Sequence, residues 1–150
     1  MRLVVAAVGR AKEPAFRALL DDYYGRIKRY ASLDEVEIRE DREDRVEQAF
    51  ARALASVGPR GQFVVLDVKG KQFTSEAFAQ KIGETLDGGA IPVFAIGGAE
   101  GLPPSVRKRA SWTISLGPMT LPHRLARVIL AEQVYRAFTI LRGEPYAREA

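Results

Sequence analysis

Three short apolar runs constrain the fold of this chain more than anything else in it. LVVAAV (3–8), the FVVL core of QFVVLDV (62–68) and IPVFAI (91–96) are apolar without interruption, too short for helices, and followed by Gly or Asp. A strand that is apolar at every position has both faces covered, the signature of a parallel sheet with helices on either side. Between the runs the spacing turns helical. Phe16, Leu19, Leu20, Tyr23, Tyr24 and Ile27 follow Glu13-Pro14, and Val46, Phe50, Leu54 and Val57 share one face of 43–57. Pro14 suits a first helical turn, where its missing N–H would be unpaired anyway. VEIRE (36–40) and SWTIS (111–115) read as further strands. Thr74 or Ser75 is the expected N-cap of a helix reaching Leu86, and 121–142 is expected to be the longest helix. This alternation predicts an α/β fold, a mostly parallel sheet with helices on both faces, in a single domain over 1–150.

Composition narrows the setting. A chain of 150 residues buries about 70% of the surface that its unfolded form exposes, so it needs no covalent staples. It contains no cysteine, which excludes disulfides and thiolate metal centres and fits a reducing, cytoplasmic compartment. LVVAAV has neither the length nor the cleavage site of a signal peptide. No apolar stretch approaches the roughly 18 residues that span a bilayer, so no membrane partner is expected. The net charge of +4 is uneven. Residues 101–150 hold eight Lys or Arg against three Glu, whereas residues 1–100 hold fifteen against sixteen acids. A localised cationic excess is the footprint of a polyanion partner, and equally of an ordinary basic surface.

In parallel sheets, ligands sit at the carboxyl ends of the strands. That rule makes neighbours of Leu66-Asp67, Gly97-Gly98 and segment 115–120. IGGAEGL (96–102) is no P-loop, since no Gly-Lys-Ser/Thr follows, and Pro103 stands where a dinucleotide fingerprint needs glycine. Its glycines serve either a tight turn or the close approach of a ligand to the backbone. Thr120 is a candidate cap and Pro122 a first-turn residue of the long helix, whose start offers free N–H groups. His123 is the only histidine; it is a candidate general base or a structural residue, and no second ligand stands near it to make a metal site. No serine has the setting of a hydrolase nucleophile. Leu125, Val128, Ile129, Val134 and Ala137 form an apolar band on the long helix, with Arg124, Arg127 and Arg136 outside it. Glu132 is expected to pair with Arg127, Arg136 or another chain. The wide apolar arc suits packing on a second subunit as well as on the sheet. The terminal Tyr146-Ala147-Arg148 is either a frayed end or a pair that stacks on an unpaired RNA base.

Taken together, these segments resemble the RlmH family of SPOUT-class methyltransferases. The resemblance rests on the start Met1–Gly9, LDVKGK (66–71), IGGAEGL (96–102), TLPHRLARVILAEQVYRAF (120–138) and RGEPYARE (142–149). It covers essentially the whole chain. It implies a deep trefoil knot at the C-terminal end of the sheet, whose loops bind S-adenosyl-L-methionine, and a homodimer with its active site at the subunit interface. It also implies a substrate: a pseudouridine in helix 69 of 23S rRNA, methylated at N3 in the assembled ribosome. No metal is implied. The cofactor residues carried over are Leu66, Gly98, Gly117, Pro118, Met119, Thr120, Leu121 and Pro122. Tyr146 and Arg148 would orient the target base, and Arg136 and Arg142 would grip phosphate or offset developing negative charge. The family usually has His after the tail tyrosine, and this chain has Ala147. A proton acceptor there is then lost, or its role falls to His123, Tyr146 or solvent. That departure motivates the alternative, a non-catalytic RNA- or ribosome-binding module on the same fold.

Overall fold

The structure, a computed structural model, describes residues 1–148; Glu149, the last residue of the tail motif, lies outside the described residues. The element order is β1 (Arg2–Val8), α1 (Pro14–Ile27), β2 (Ser32–Ile38), α2 (Glu43–Ala55), β3 (Gly61–Leu66), α3 (Ser75–Asp87), β4 (Ile91–Ile96), α4 (Pro104–Lys108), β5 (Ala110–Ile114), α5 (His123–Leu141) and a 3-10 turn at Pro145–Arg148. The strands lie in the order β2-β1-β4-β3-β5, and every pairing is parallel. The sheet is thus wholly parallel where a mostly parallel one was expected.

The apolar runs explain why. Along β1 and β4, alternate side chains go to opposite layers. Leu3, Val5, Ala7, Phe94 and Ile96 meet α1, α3 and α5, whereas Val4, Ala6, Val8, Val93 and Ala95 meet the layer of α2. Both strands are interior to the sheet, so neither face can carry a polar residue without losing burial worth about 1.5–3 kcal/mol per large side chain. Thr74, rather than Ser75, caps α3, accepting from the Ala77 N–H at 3.0 Å. Ser75 instead donates to Gln133 of α5 at 2.7 Å.

Three local expectations change. The strand expected at 36–40 runs from Ser32 to Ile38, held in register with β1 from Arg2↔Ser32 to Val8↔Ile38. Its charges at Asp34, Glu35 and Glu37 hid it, and an edge strand can hold them. Next, α5 starts at His123 with Pro122 at its N-cap and no side-chain cap, so Thr120 lies too early to cap it. Last, Arg127 is not outside the apolar face. It is 3% exposed, while Leu125 of the expected band is 38% exposed. The apolar arc of α5 is taken up by its own sheet, by α1 and by α3.

The reason for Arg127 lies on β2. Glu35 and Glu37 sit two apart, on the face that Leu33 turns toward α1 and α5. Arg127 donates to both, at 2.9 and 2.8 Å, and Arg17 of α1 lies 2.9 Å from Glu35. Glu37 also accepts from the Ala11 N–H at 2.8 Å. Burial pushes the Glu37 carboxyl up, but the Ala11 N–H and Arg127 outweigh it and hold the group below its ordinary value.

Candidate functional site

The carboxyl ends of β3 and β4 and the segment after β5 meet as the parallel-sheet rule requires. After β3 the chain turns sharply: Gly70 N–H donates to Asp67 C=O at 2.8 Å, and Asp67 N–H reaches back to Ile114 of β5 at 3.0 Å. The loop then lies along the chain leaving β5. Ser115 N–H donates to Lys71 C=O at 2.8 Å, and the buried Ser115 hydroxyl lies 3.0 Å from Val68 C=O while accepting from the Gly117 N–H at 3.1 Å. A hydroxyl thus stitches two adjoining loops and orients Gly117, whose φ of +121° suits glycine and few other residues.

After β4 the glycine loop folds on itself. Gly101 N–H donates to Gly98 C=O at 3.0 Å. A β-carbon on Gly97 would stand 2.5 Å from the Gly101 carbonyl carbon, so the loop closes only over a bare α-carbon. On the other side, a β-carbon at Gly98 would meet Val8 at 3.1 Å and Glu40 at 3.3 Å. Pro103 and Pro104 then open the short α4, which the sequence had not separated from the turn.

These ends enclose a cleft of about 250 Å³. Leu66, Ile96, Leu102, Leu121 and Ala126 supply its apolar lining, and Asp67, Arg107 and His123 its polar side chains. A second hollow, about 300 Å³, shares Leu121 and runs past Gly117 toward Phe73 and Gln133. Of the expected cofactor residues, Leu66, Gly98, Gly117 and Leu121 therefore line the two hollows. Pro118, Thr120 and Pro122 lie exposed on the segment between them, and the Met119 side chain is 80% exposed, so it builds no wall of the apolar slot in this chain alone. His123, a candidate general base in the sequence, thus faces the cleft, whereas Arg107 is not singled out by the sequence. The strand-end rule marked Asp67's position; nothing in the sequence marks Arg107 beyond the basic run 107–109.

The tail is elsewhere. Helix α5 rises about 1.5 Å per residue, so Tyr135 stands about 18 Å along it from His123. Tyr146 packs edge-on against Tyr135 with ring centroids 4.6 Å apart, and the Arg136 guanidinium lies 5.0 Å over the Tyr146 ring. Arg136 is held by Glu132 at 2.7 Å, one of the pairings expected for Glu132. Arg142 lies over Tyr30, whose hydroxyl donates to Glu144 at 2.6 Å. Arg148 donates to Gly143 C=O at 3.2 Å. Residues 145–148 are therefore folded back onto α5 rather than frayed. Burial first, and then contact with Tyr23 and Glu132, pushes the Tyr146 hydroxyl up to about 12, so near neutral pH it is a proton donor and not a base. Tyr146, Arg136, Arg142 and Arg148 gather at one end of α5, and the cleft lies at the other.

The cationic excess is also less free than the sequence implied. Arg127 is buried between glutamates, Arg124 pairs with Glu13 and Arg136 with Glu132. Arg107 at the cleft, Lys108 and Arg109 after it in sequence, and Arg142 and Arg148 at the tail, make no ion pair among the described residues. Among the described residues no group of three or more His, Cys, Asp or Glu is placed to hold a metal. No described helix is long and apolar enough to cross a membrane.

A family profile described as "Predicted SPOUT methyltransferase" matches residues 1–147. The chain belongs to the SPOUT methyltransferase family. Curated relatives span it end to end. A protein of Sorangium cellulosum is 49% identical over 148 residues, covering 98% of this chain and 99% of its own. One from Rhodospirillum centenum is 44% identical, and one from Limosilactobacillus fermentum 40%, with 99% of each relative covered and 99% and 97% of this chain. All three are named "Ribosomal RNA large subunit methyltransferase H". A probable methylase family protein from Haemophilus influenzae has a similar fold, with a TM-score of 0.52 at 8% identity over 97% of this chain and 69% of its own.

Proposed function

We propose that this chain is an S-adenosyl-L-methionine-dependent methyltransferase of large-subunit ribosomal RNA. In its finer form, it methylates N3 of a pseudouridine in helix 69 of 23S rRNA, acting in the cytoplasm on the assembled ribosome. The observation that carries the reading is the cleft itself: an apolar slot walled by Leu66, the Gly97–Leu102 loop and Leu121, in a chain of this family. A slot of this kind accepts an adenine ring, with Leu66 and Leu121 on its faces. Gly98 and the backbone from Gly117 to Pro122 would give the polar edge. When bound, the cofactor supplies a methyl group already activated as a sulfonium. The chain must then orient the acceptor and exclude water.

The tail reading is compatible with this only in a dimer. Within one subunit Tyr146 and the cleft lie at opposite ends of α5, so the tail of one subunit serves the cleft of its partner. Tyr146 donates a hydrogen bond to the base, and Arg148 and Arg142 offset the charge that develops as the imide proton leaves N3. Arg136, anchored by Glu132 and lying on the Tyr146 ring, holds that ring or a phosphate. With Ala147 in place of histidine and Tyr146 protonated, His123 or solvent takes the proton. A deep trefoil knot at the C-terminal end of the sheet belongs to the same reading, which the family match supports. The same Ala147 favours the second reading, an RNA- or ribosome-binding module without catalysis.

Methyl transfer to ribosomes lacking the mark, compared with free 23S rRNA, tests both. Transfer to intact ribosomes is expected. Transfer to free RNA alone would overturn the substrate, and S-adenosyl-L-methionine binding without transfer to either would favour the binding module. A monomer at micromolar concentration in sedimentation would overturn the shared site.

A further inference from the structure

The cleft carries two opposite charges that do not satisfy one another. Asp67, at the end of β3, has its backbone fully engaged, N–H to Ile114 and C=O to Gly70. Among the described residues its carboxylate takes only the Lys69 N–H, at 3.1 Å on Oδ1. Arg107, on α4, makes no ion pair among the described residues and none with Asp67. Both line the same cleft over an apolar floor of Leu66, Ile96, Leu102 and Leu121. An anion and a cation held apart beside an apolar slot suit a ligand with an apolar body and a zwitterionic end, because such a ligand satisfies both charges at once.

We propose that Asp67 and Arg107 form the subsite for the amino-acid arm of the cofactor. Asp67 accepts from the α-ammonium and Arg107 donates to the α-carboxylate. The assignment rests on the reading of this chain as an S-adenosyl-L-methionine-dependent enzyme, and names how that site tells the whole cofactor from its nucleoside part. Neither residue is buried in the core, so substitutions at them leave the fold standing. Asp67→Asn keeps the acceptor for Lys69.

The test is calorimetry on the full chain with S-adenosyl-L-methionine, S-adenosylhomocysteine and 5′-methylthioadenosine, which lacks the amino-acid arm. Arg107→Met and Asp67→Asn are each expected to weaken the first two ligands about tenfold or more, as loss of a charged hydrogen bond does. Binding of 5′-methylthioadenosine should stay within about twofold. Arg107→Lys should restore part of the loss. Equal weakening of all three ligands would overturn the subsite, since the slot itself would then have changed. Unchanged cofactor affinity with a raised KM for ribosomes would overturn it in favour of an RNA phosphate contact. A wild-type chain that binds 5′-methylthioadenosine as tightly as S-adenosyl-L-methionine would overturn the subsite alone. A wild-type chain that binds none of the three would remove the cofactor reading and the subsite with it.

Discussion

Two regions of this molecule are held by opposite means. Under the starts of α1 and α5, a half-buried patch is fixed by charged side chains: Arg127 between Glu35 and Glu37, with Arg17 beside them. At the ends of β3, β4 and β5, the cleft is fixed by backbone: bare α-carbons, peptide hydrogen bonds and one hydroxyl. The first buries the Arg127 charge away from the cleft. The second keeps Asp67 and Arg107 free of ion pairs where a ligand would need them. The difference teaches that charge in this chain is most fully satisfied away from the chemistry.

The comparison can be broken by substitution, beginning with the largest effect. Arg127→Met leaves the half-buried Glu35 and Glu37 with Arg17 as their remaining cation and is expected to cost about 3 kcal/mol in urea denaturation. The triple change with Glu35→Gln and Glu37→Gln should recover much of that loss, and failure to recover would mean that Arg127 acts by packing alone. Gly97→Ala puts a carbon 2.5 Å from backbone; it should cost about 1–3 kcal/mol and weaken cofactor binding more than Arg127→Met does at matched stability. If cofactor affinity merely tracks stability in both, the two regions are not separate. Ser115→Ala removes the hydroxyl that joins Val68 to Gly117 and should cost about 1 kcal/mol, with cofactor affinity again falling.

Acid sharpens the contrast further. The folded Glu37 carboxyl lies below its unfolded value, so the unfolded chain binds the proton first as pH falls. Its contribution is complete above about pH 4.3 and is lost as pH drops through the folded value. The acid limb of a stability profile should therefore flatten in Glu37→Gln, and an unchanged limb would place the acid sensitivity elsewhere. Smallest of all, Tyr146→Phe should change stability by no more than about 0.5 kcal/mol while lowering methyl transfer to ribosomes. Unchanged transfer would remove the tail from the reaction.

Much of this was legible in the chain. The three apolar runs located β1, β3 and β4 within a residue or two, because burial on both faces leaves no other pattern. The strand-end rule brought Leu66, Gly98 and Gly117 together from strand positions alone, and the resemblance added Leu121. Arg127 and β2 were missed for one shared reason. A buried cation looks like a surface residue until its partners are known, and those partners made β2 look too polar to be a strand from Ser32. The distance of the tail from the cleft was also invisible, since spacing along a sequence says nothing of which end of a helix a returning chain reaches.

The stitch at Ser115 has a consequence in time. Its hydroxyl meets Val68, 47 residues earlier in the chain, and no local element brings the two together. Contacts so distant in sequence form only after long loops have closed, and chains dominated by them fold slowly. The helices can therefore form before β3 and β5, which pair across the same span, close the cleft. A newly made chain should pass through a stage with helical structure and no affinity for the cofactor. Stopped-flow circular dichroism run beside cofactor binding during refolding would record that interval directly.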